Sequence, residues 1–427
     1  MKQLEPAAAA DRLNYRQLFT NRRVAVTLFL GFSSGLPLAL TRNTLQAWFT
    51  VSGISIVTIG ALTLVAQPYV WKFVWAPLMD RYVPPFLGRR RGWMLVTQVG
   101  LLLAIGAMAF MHPATTPGWL SVLAFVVAFL SASQDISFNA YMTDVLAPRE
   151  RGIGAAVSVG GYRIAMLISG GVALILADHY GWRVSYLIMA ALMGVGICAT
   201  LASPTPQAEP APPRNLRAAV VEPFTQFMGR PGAIALLALV ILYKLGDAFA
   251  GSLTVPFLLR GVGFSLTDVG GLYKVVGISA TLVGVFFGGG LLAKLGLFRS
   301  LMLFGILQAV SILTFMALAV IGKNFPVMIA AIAVENIAWG MGTAAFLAFL
   351  MALCDHRYTA TQFALLTALD SLGRVFAGPA AGYVQSAVGW PGFFFVSFLV
   401  ALPGLFILWM LRHRVAAAEV APSMQTA

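Results

Sequence analysis

The feature that most constrains this chain is a long succession of apolar stretches, separated for the most part by short polar turns. An α-helix needs about 20 predominantly apolar residues to cross the hydrocarbon core of a bilayer. Stretches of that kind recur from residue 24 to residue 411. They predict an all-α protein that crosses the lipid bilayer many times. Twelve spans are expected, at roughly 24–49, 57–80, 92–112, 117–146, 151–178, 182–203, 232–259, 266–293, 297–322, 325–354, 358–387 and 390–411.

The composition excludes several other classes of protein. Only 10% of the 427 residues are charged, whereas soluble proteins average about 25%. The formal net charge of +13 is interpreted as a determinant of membrane orientation, so no nucleic-acid partner is expected. Both cysteines lie in apolar spans, which predicts neither a disulfide framework nor a metal site, and no cofactor is expected. The first 23 residues lack the apolar core of a signal peptide, so none is expected.

One long polar segment, residues 204–231, is rich in Pro, Ala and charge and is predicted to be a linker. Gly35 and Gly246 are 211 positions apart, and so are Arg163 and Arg374, which indicates an internal repeat. Two parallel six-helix repeats resemble the major facilitator fold. The expected organisation is a tail at 1–23, a six-helix bundle at 24–203, the linker, a second bundle at 232–411 and a tail at 412–427.

The distribution of Lys and Arg predicts the orientation. With twelve spans, 19 of the 28 basic residues fall on the side that holds both termini and the linker, and only Arg183, Arg260 and Lys323 fall on the other. Loops rich in Lys and Arg remain in the cytoplasm. Both termini are therefore expected on the cytoplasmic side.

Several ionisable residues lie well inside the predicted spans, where a charge costs roughly 3 kcal/mol or more at the bilayer centre. On helix 7, Lys244 and Asp247 share one helical face with Gly251 and Thr254, because side chains three or four residues apart point the same way. This polar stripe predicts that helix 7 forms part of the wall of a polar cavity, where its side chains bind the transported solute or protons. The alternative is that such charges only pair and lock helices together, as Asp370 and Arg374 at i and i+4 would do.

These residues supply the candidate site. Mid-span cations outnumber mid-span acids by five to four, which favours an anionic solute. Arg42 lies nearer the outer end of helix 1 and receives no role. Four tryptophans, Trp48, Trp71, Trp75 and Trp339, are candidate platforms for a sugar ring, although membrane tryptophans more often anchor a helix at the interface. The predicted substrate-binding residues are Ser33, Ser34, Gln134, Asn139, Arg163, Lys244, Lys274, Asn336 and Arg374, and the predicted proton-coupling residues are Asp135, Asp247, Glu335 and Asp370.

The stretch 77-PLMDRYVPPFLGRRR-91 resembles the D-R-x-G-R-R loop between helices 2 and 3 of major facilitators, with extra residues before Gly88. The resemblance implies that charges at the cytoplasmic helix ends latch the inward gate. The residues that would do so here are Asp80, Arg81, Arg89, Arg90, Arg91 and Asp144.

Longer stretches carry a closer resemblance, among them 31-GFSSGLPLALTRNTLQAW-48, 131-SASQDISFNAYMTDVL-146, 241-ILYKLGDAFAGSLT-254 and 361-TQFALLTALDSLGRV-375. They resemble the AmpG muropeptide permeases of Gram-negative inner membranes. The resemblance implies proton-driven import of GlcNAc-1,6-anhydroMurNAc and its peptides from the periplasm for peptidoglycan recycling, and through it β-lactamase induction and antibiotic resistance. It also implies a monomer without catalytic residues, whose cavity is lined by helices 1, 4, 7 and 10. The further C-terminal hydrophobic helices of some relatives are not expected here.

Three other functions are weighed against this one. The chain resembles, more distantly, carriers of other anionic solutes such as acyl-CoA. A membrane-embedded enzyme acting on cell-wall fragments is disfavoured, because no predicted loop is long enough to hold a catalytic domain. A purely structural or sensory protein would leave the charges inside the spans without a purpose.

Overall fold

The computed structural model describes residues 22–146, 151–205, 224–230, 232–354 and 359–420, and all regular secondary structure in these ranges is helical. The first helices are α1 (Arg22–Val51), α2 (56–81, interrupted by short 3₁₀ turns), α3 (Gly88–Met108) and α4 (Pro117–Val145). A helical stretch then runs from Arg151 to Ala202 and is broken at Gly181. We number its two parts α5 (151–180) and α6 (182–202).

After the linker the chain forms α7 (Ala233–Val262), α8 (266–295), α9 (Leu297–Ile321) and α10 (Phe325–Ala352). The last long stretch, Thr359–Met410, is broken at Gly389 into α11 (359–388) and α12 (390–410), and a short α13 (Arg412–Val420) follows. Gly181 and Gly389 have φ of 83° and 69°, a region that only glycine enters readily. Both breaks coincide with turns that the sequence predicted.

Within the described ranges, nine helical segments are long and apolar enough to cross a membrane. Two of the nine, Val157–Ala202 and Leu365–Met410, contain the glycine breaks, and the apolar segment Ile56–Trp71 is shorter. The all-α, multi-pass architecture expected from the sequence is confirmed.

Small residues bring the helices into close contact. A Cβ built on Gly31 of α1 would lie 2.3 Å from the carbonyl oxygen of Ser158 on α5, and one on Gly284 of α8 would lie 2.2 Å from that of Ile337 on α10. Inside a membrane, helix association depends on van der Waals packing rather than on the hydrophobic effect, so backbones that approach this closely are stabilising. These contacts hold α1 against α5 and α8 against α10.

The bundle has two ends. The linker face contains the helix ends near Arg22, Ala202, Gly232 and Leu353, where Arg22 donates hydrogen bonds to the Ala202 carbonyl and Arg230 to the Leu353 carbonyl. The far face contains the opposite helix ends, near residues 51–55, 178–182, 260–265, 322–324 and 389. Close to it, Trp48 of α1 stacks on Trp182 of α6 with ring centroids 5.3 Å apart.

Candidate functional site

A cavity of about 460 Å³ lies between a first group of helices, α1–α6, and a second group, α7–α12, and polar side chains line much of it. Its wall is formed by α1, α2, α5, α7, α10 and α11. Helices 1, 4, 7 and 10 were expected there. Helices α2, α5 and α11 take part as well, and among the described residues no lining residue comes from α4. The polar and charged lining residues are Arg42, Asn43, Gln46, Thr63, Tyr69, Lys244, Asp247, Ser252, Glu335, Trp339, Ser371 and Arg374.

Helix α7 is broken where it meets the cavity. Lys244 has φ −100° and ψ 1°, so one α-helical segment ends at Tyr243 and the next begins at Leu245. Lys244 therefore follows the C-terminus of the first segment, and Asp247 lies in the first turn of the second. A cation at a helix C-terminus and an anion at an N-terminus both interact favourably with the backbone dipoles. The break thus stabilises two opposite charges next to each other on the cavity wall.

Lys244 and Asp247 form an ion pair with other polar partners around it. Lys244 Nζ lies 3.6 Å from Asp247 Oδ2, 3.3 Å from Thr343 Oγ1 and 5.6 Å from the centre of the Trp339 ring. Gln308 Nε2 donates a hydrogen bond of 2.5 Å to Asp247 Oδ2. Both charged residues line the cavity, so water or a solute in the cavity can contact the ion pair directly.

A second ion pair lies on α11. Arg374 Nη2 is 2.6 Å from Asp370 Oδ2 and donates a 3.1 Å hydrogen bond to Ser371 Oγ. Arg374 and Ser371 line the cavity, while Asp370 lies behind them and is buried. Asp370 and Arg374 thus form the i, i+4 ion pair that the sequence analysis gave as the alternative to a role in binding cargo or protons.

Helix α10 contributes Glu335 and Trp339 to the cavity wall. The neighbouring Asn336 is not a lining residue. Its amide nitrogen donates to Glu335 Oε2 at 2.7 Å and to the Ile332 carbonyl at 2.8 Å, and its amide oxygen accepts from Thr281 on α8 at 3.2 Å. Asn336 therefore orients Glu335 and connects α10 to α8.

Four of the five predicted residues of α1 and α4 contact each other across these two helices, and they are not cavity-lining residues. Gln134 is buried and donates to Ser33 Oγ at 2.9 Å, and Ser34 donates to Asp135 at 2.5 Å. Asn139, one turn further along α4, is exposed. The short serines let α1 approach α4 and bind the Gln134 amide nitrogen and the Asp135 carboxylate. The substrate and proton roles of these residues stay predictions.

The same α1 segment, Gly31–Gly35, has the spacing G-x-S-x-G. In α/β hydrolases that spacing places a nucleophilic serine on a sharp turn between a strand and a helix. Here the segment lies inside a continuous helix, and Ser33 is fully buried and hydrogen-bonded to Gln134. It is a helix-packing element.

Two predicted cations lie outside the cavity lining. Arg163 of α5 is exposed. Lys274 of α8 lies against α5, next to Gly170, and its Nζ is 5.4 Å from the centre of the Tyr273 ring. The proposed contact of either residue with substrate stays a prediction.

The predicted gate residues that the structure describes join helices of the first group. Arg90 pairs with Asp144 at 3.0 Å, and Arg91 donates to the carbonyls of Thr200 and Leu201 at the end of α6. Arg89 is also buried. These contacts stabilise the linker face of α3, α4 and α6. The side chains of Asp80 and Arg81 lie outside the described residues, and a latching role for the whole set stays a prediction.

The cavity ends toward the far face, where the two groups of helices touch. Gln46 of α1 donates to the Ser252 carbonyl of α7 at 2.9 Å, and Thr63 of α2 donates to the Val375 carbonyl of α11 at 2.8 Å. Beyond them, Arg260 of α7 donates to the carbonyls of Thr50 and Ile54 at the end of α1.

Helices α5 and α8 close the remaining side of the far face. Asp178 accepts from the backbone nitrogen and the hydroxyl of Thr267, at 3.2 and 2.6 Å. A Cβ built on Gly171 of α5 would lie 2.7 Å from the carbonyl oxygen of Gly270 on α8. In this conformation the far face is therefore sealed by backbone-to-backbone contact and by side chains that bind helix ends.

The family model of the Major Facilitator Superfamily matches residues 24–378. The anhydromuropeptide permease of Escherichia coli (strain K12) is 52% identical over 407 residues, which cover 95% of this chain and 83% of that protein. The putative transporter AmpG 4 of Rickettsia felis is 34% identical, covering 93% of this chain and 99% of that protein. The chain belongs to the AmpG family of the Major Facilitator Superfamily.

Solved structures agree with this assignment at the level of the fold. The crystal structure of PepTSo, a POT family transporter, matches this AmpG-family chain with a TM-score of 0.72 at 12% identity and covers 92% of this chain and 98% of that one. The fold and the relatives are those of transporters rather than enzymes. The AmpG-family chain is a multi-pass membrane transporter.

Proposed function

We propose that this transporter imports GlcNAc-1,6-anhydroMurNAc and its peptides across the inner membrane of a Gram-negative bacterium. The 52% identity to the anhydromuropeptide permease of Escherichia coli over nearly the whole chain supports this cargo most strongly. The imported fragments would re-enter peptidoglycan synthesis, and their cytoplasmic level would control β-lactamase induction.

The cavity supports the proposal chemically. A disaccharide offers hydroxyl and acetamido groups, and a stem peptide adds amides and carboxylates. Asn43, Gln46 and Ser371 provide neutral hydrogen-bonding groups on the wall, Trp339 provides an aromatic face, and three cations line the same space. A volume of about 460 Å³ is in the usual range of small-molecule sites. A peptide-bearing cargo would extend beyond it toward the linker face.

The topology that goes with this function has twelve spans in two six-helix bundles, 24–203 and 232–411, with the linker and both termini in the cytoplasm. This number is consistent with the nine long apolar segments of the described residues. Two of the nine are broken, at Gly181 and at Gly389, and count as two spans each, and the shorter α2 adds the twelfth. The far face would then be periplasmic and the described conformation closed to the periplasm. We further propose that the protein acts as a monomer.

Proton coupling is proposed to use one of four mid-span acids, three of them in the second bundle. Asp247 is the first candidate because it lies on the cavity wall beside Lys244. Glu335, also on the wall, is the second, and its only described polar partner is the amide of Asn336. Asp370 is held by Arg374 and lies behind the wall. Asp135, bound to Ser34, is the remaining candidate.

The test is uptake of labelled GlcNAc-anhydroMurNAc-tripeptide into proteoliposomes that contain the purified protein. Accumulation that requires an inward proton gradient and is abolished by a protonophore is the expected result. Uptake without accumulation would leave transport but refute proton coupling. Failure of the wild type to take up the muropeptide, together with uptake of an acyl-CoA under the same conditions, would favour the second candidate function. Chemical conversion of the muropeptide by the purified protein would instead indicate an enzyme.

A further inference from the structure

Helix α1 departs from regular α-helical geometry at the cavity. Residues Leu40–Thr44 form a π-helical turn, with regular α-helix on both sides. A π turn inserts one extra residue into the helix, changes the direction of nearby side chains and is frequent at functional sites. The residue at the middle of this turn is Arg42.

The turn directs Arg42 into the cavity. Between Leu30 and Thr50, all of which the structure describes, Arg42 is the one exposed residue. It lines the cavity wall together with Asn43 and Gln46, which follow it on α1. The exposed surface of Arg42 therefore faces the transport pathway, where water and cargo can reach it.

Arg42 also differs from the other cations of the cavity in its partners. Lys244 is paired with Asp247, and Arg374 with Asp370. Among the described residues, no carboxylate lies within ion-pair distance of Arg42 and no hydrogen bond from its guanidinium is present. Its charged neighbours include two cations, since Arg374 and Lys274 are both close enough to interact with it electrostatically.

An unpaired guanidinium beside two other cations creates a local excess of positive charge inside the membrane. Such an arrangement is unfavourable until an anion neutralises it. The guanidinium presents several N–H donors in a fixed plane and can bind both oxygens of a carboxylate at once, which an ammonium group cannot do.

We propose that Arg42 is the carboxylate-binding residue of the transport site and holds an acidic group of the cargo against α1. This assignment rests on the proposed function, in which the cargo is a muropeptide with carboxylates on its stem peptide. Arg374 and Lys274 contribute to the positive field around that position. Asn43 and Tyr69, on the same wall, provide further hydrogen-bond donors.

The test compares two ligands and three proteins by calorimetric titration in detergent. The ligands are GlcNAc-anhydroMurNAc-tripeptide with free carboxylates and the same molecule with its carboxylates amidated. The proteins are the wild type, Arg42→Gln and the control Arg183→Gln. Arg183 is also an arginine of the first group of helices, but it is exposed at the far face, over the Phe110 ring.

Arg42→Gln should weaken binding of the free-acid ligand by about 10- to 100-fold, the range for loss of a charged hydrogen-bonding partner. It should change the affinity for the amidated ligand by no more than about threefold, which is well below the change expected when a hydrogen bond to a charged group is lost. Arg183→Gln should leave both affinities near the wild-type values. Arg42→Lys should recover part of the preference for the free acid, because it restores the charge without the planar fork.

Each other outcome has a definite meaning. Suppose that the wild type prefers the free-acid ligand. If Arg42→Gln then lowers the affinity for both ligands equally, or for neither, the assignment of Arg42 is overturned and the proposed function stands. If the wild type binds neither ligand, the proposed function fails and the assignment fails with it. Retained binding of the amidated ligand by Arg42→Gln also shows that the variant is folded.

Discussion

Replacing Asp247 by Asn separates a proton carrier from a static structural pair. Asn has nearly the shape of a protonated carboxyl group, and its side-chain oxygen can still accept the hydrogen bond that Gln308 donates to Asp247. The change removes only the negative charge beside Lys244. If Asp247 carries the proton, the variant is fixed in a state that resembles the protonated one. It should then exchange substrate across the membrane but fail to accumulate it against a gradient.

The structure limits how much stability this change can cost. Removing one partner of a fully buried ion pair costs about 3–5 kcal/mol. Lys244 and Asp247 are 3.6 Å apart with side chains 7% and 14% exposed, but they line a cavity, and Lys244 keeps Thr343 and the Trp339 ring. A cost of about 1.5–3 kcal/mol, as for one hydrogen bond to a charged group, is therefore expected. A folded variant should tolerate that loss.

The assay measures gradient-driven accumulation and equal-concentration exchange of labelled muropeptide in the same proteoliposomes. Asp247→Asn should abolish accumulation and slow exchange by no more than about tenfold, which corresponds to about 1.4 kcal/mol. Asp268→Asn is the matched control, since Asp268 lies at the start of α8 outside the cavity wall, and the Asn oxygen can still accept the hydrogen bond that the Ser265 backbone nitrogen donates to Asp268. Equal loss of accumulation and exchange in Asp247→Asn, with normal expression, would refute the proton-carrier role.

Three further predictions concern the two faces of the bundle. Arg260→Gln removes the hydrogen bonds that hold α7 to the end of α1, and should raise the population open at the far face by about tenfold, measured by labelling a cysteine placed in the cavity. An unchanged labelling rate would contradict it. Gly171→Ala should slow transport strongly because its methyl group meets the α8 backbone, whereas Gly271→Ala has free space and should not; equal effects would refute the reasoning. Asp144→Asn should lower stability by about 1–3 kcal/mol through loss of the pair with Arg90, measured by thermal unfolding in detergent, and an unchanged melting temperature would contradict it.

Much of the fold follows from local sequence patterns. The length and spacing of the apolar stretches determine where helices run, and Gly181 and Gly389 end two of them, because each has a backbone conformation that other residues avoid. Helical periodicity predicts a stripe of Lys244, Asp247, Gly251 and Thr254 on α7. The structure places the first three on the cavity wall, whereas Thr254 is buried and donates to the Ala250 carbonyl.

The arrangement of distant helices could not be derived in the same way. Ser34 and Asp135 are 101 positions apart, and nothing in either segment shows that they bind each other rather than the cargo. In a protein whose helices are apolar on all sides, periodicity does not distinguish a polar residue that faces a cavity from one that faces another helix. The sequence shows that Arg42 is a charge within helix 1. The π turn that directs its side chain into the cavity depends on tertiary packing, which the local sequence does not show.

The glycine crossings at the far face have a mechanical consequence. Gly171 meets Gly270 between α5 and α8, and Gly60 meets Gly378 between α2 and α11, so the backbones are in direct contact at each crossing, with side chains such as Leu174 and Thr63 packed beside it. Two such points act as a fulcrum, since the helix backbones stay in contact there while the helices tilt. From Gly171 to the start of α5 is about 20 residues, or roughly 30 Å of helix. A tilt of about 10° at the fulcrum would therefore move the opposite end of that lever arm by roughly 5 Å, so a small rotation near one membrane surface becomes an opening at the other.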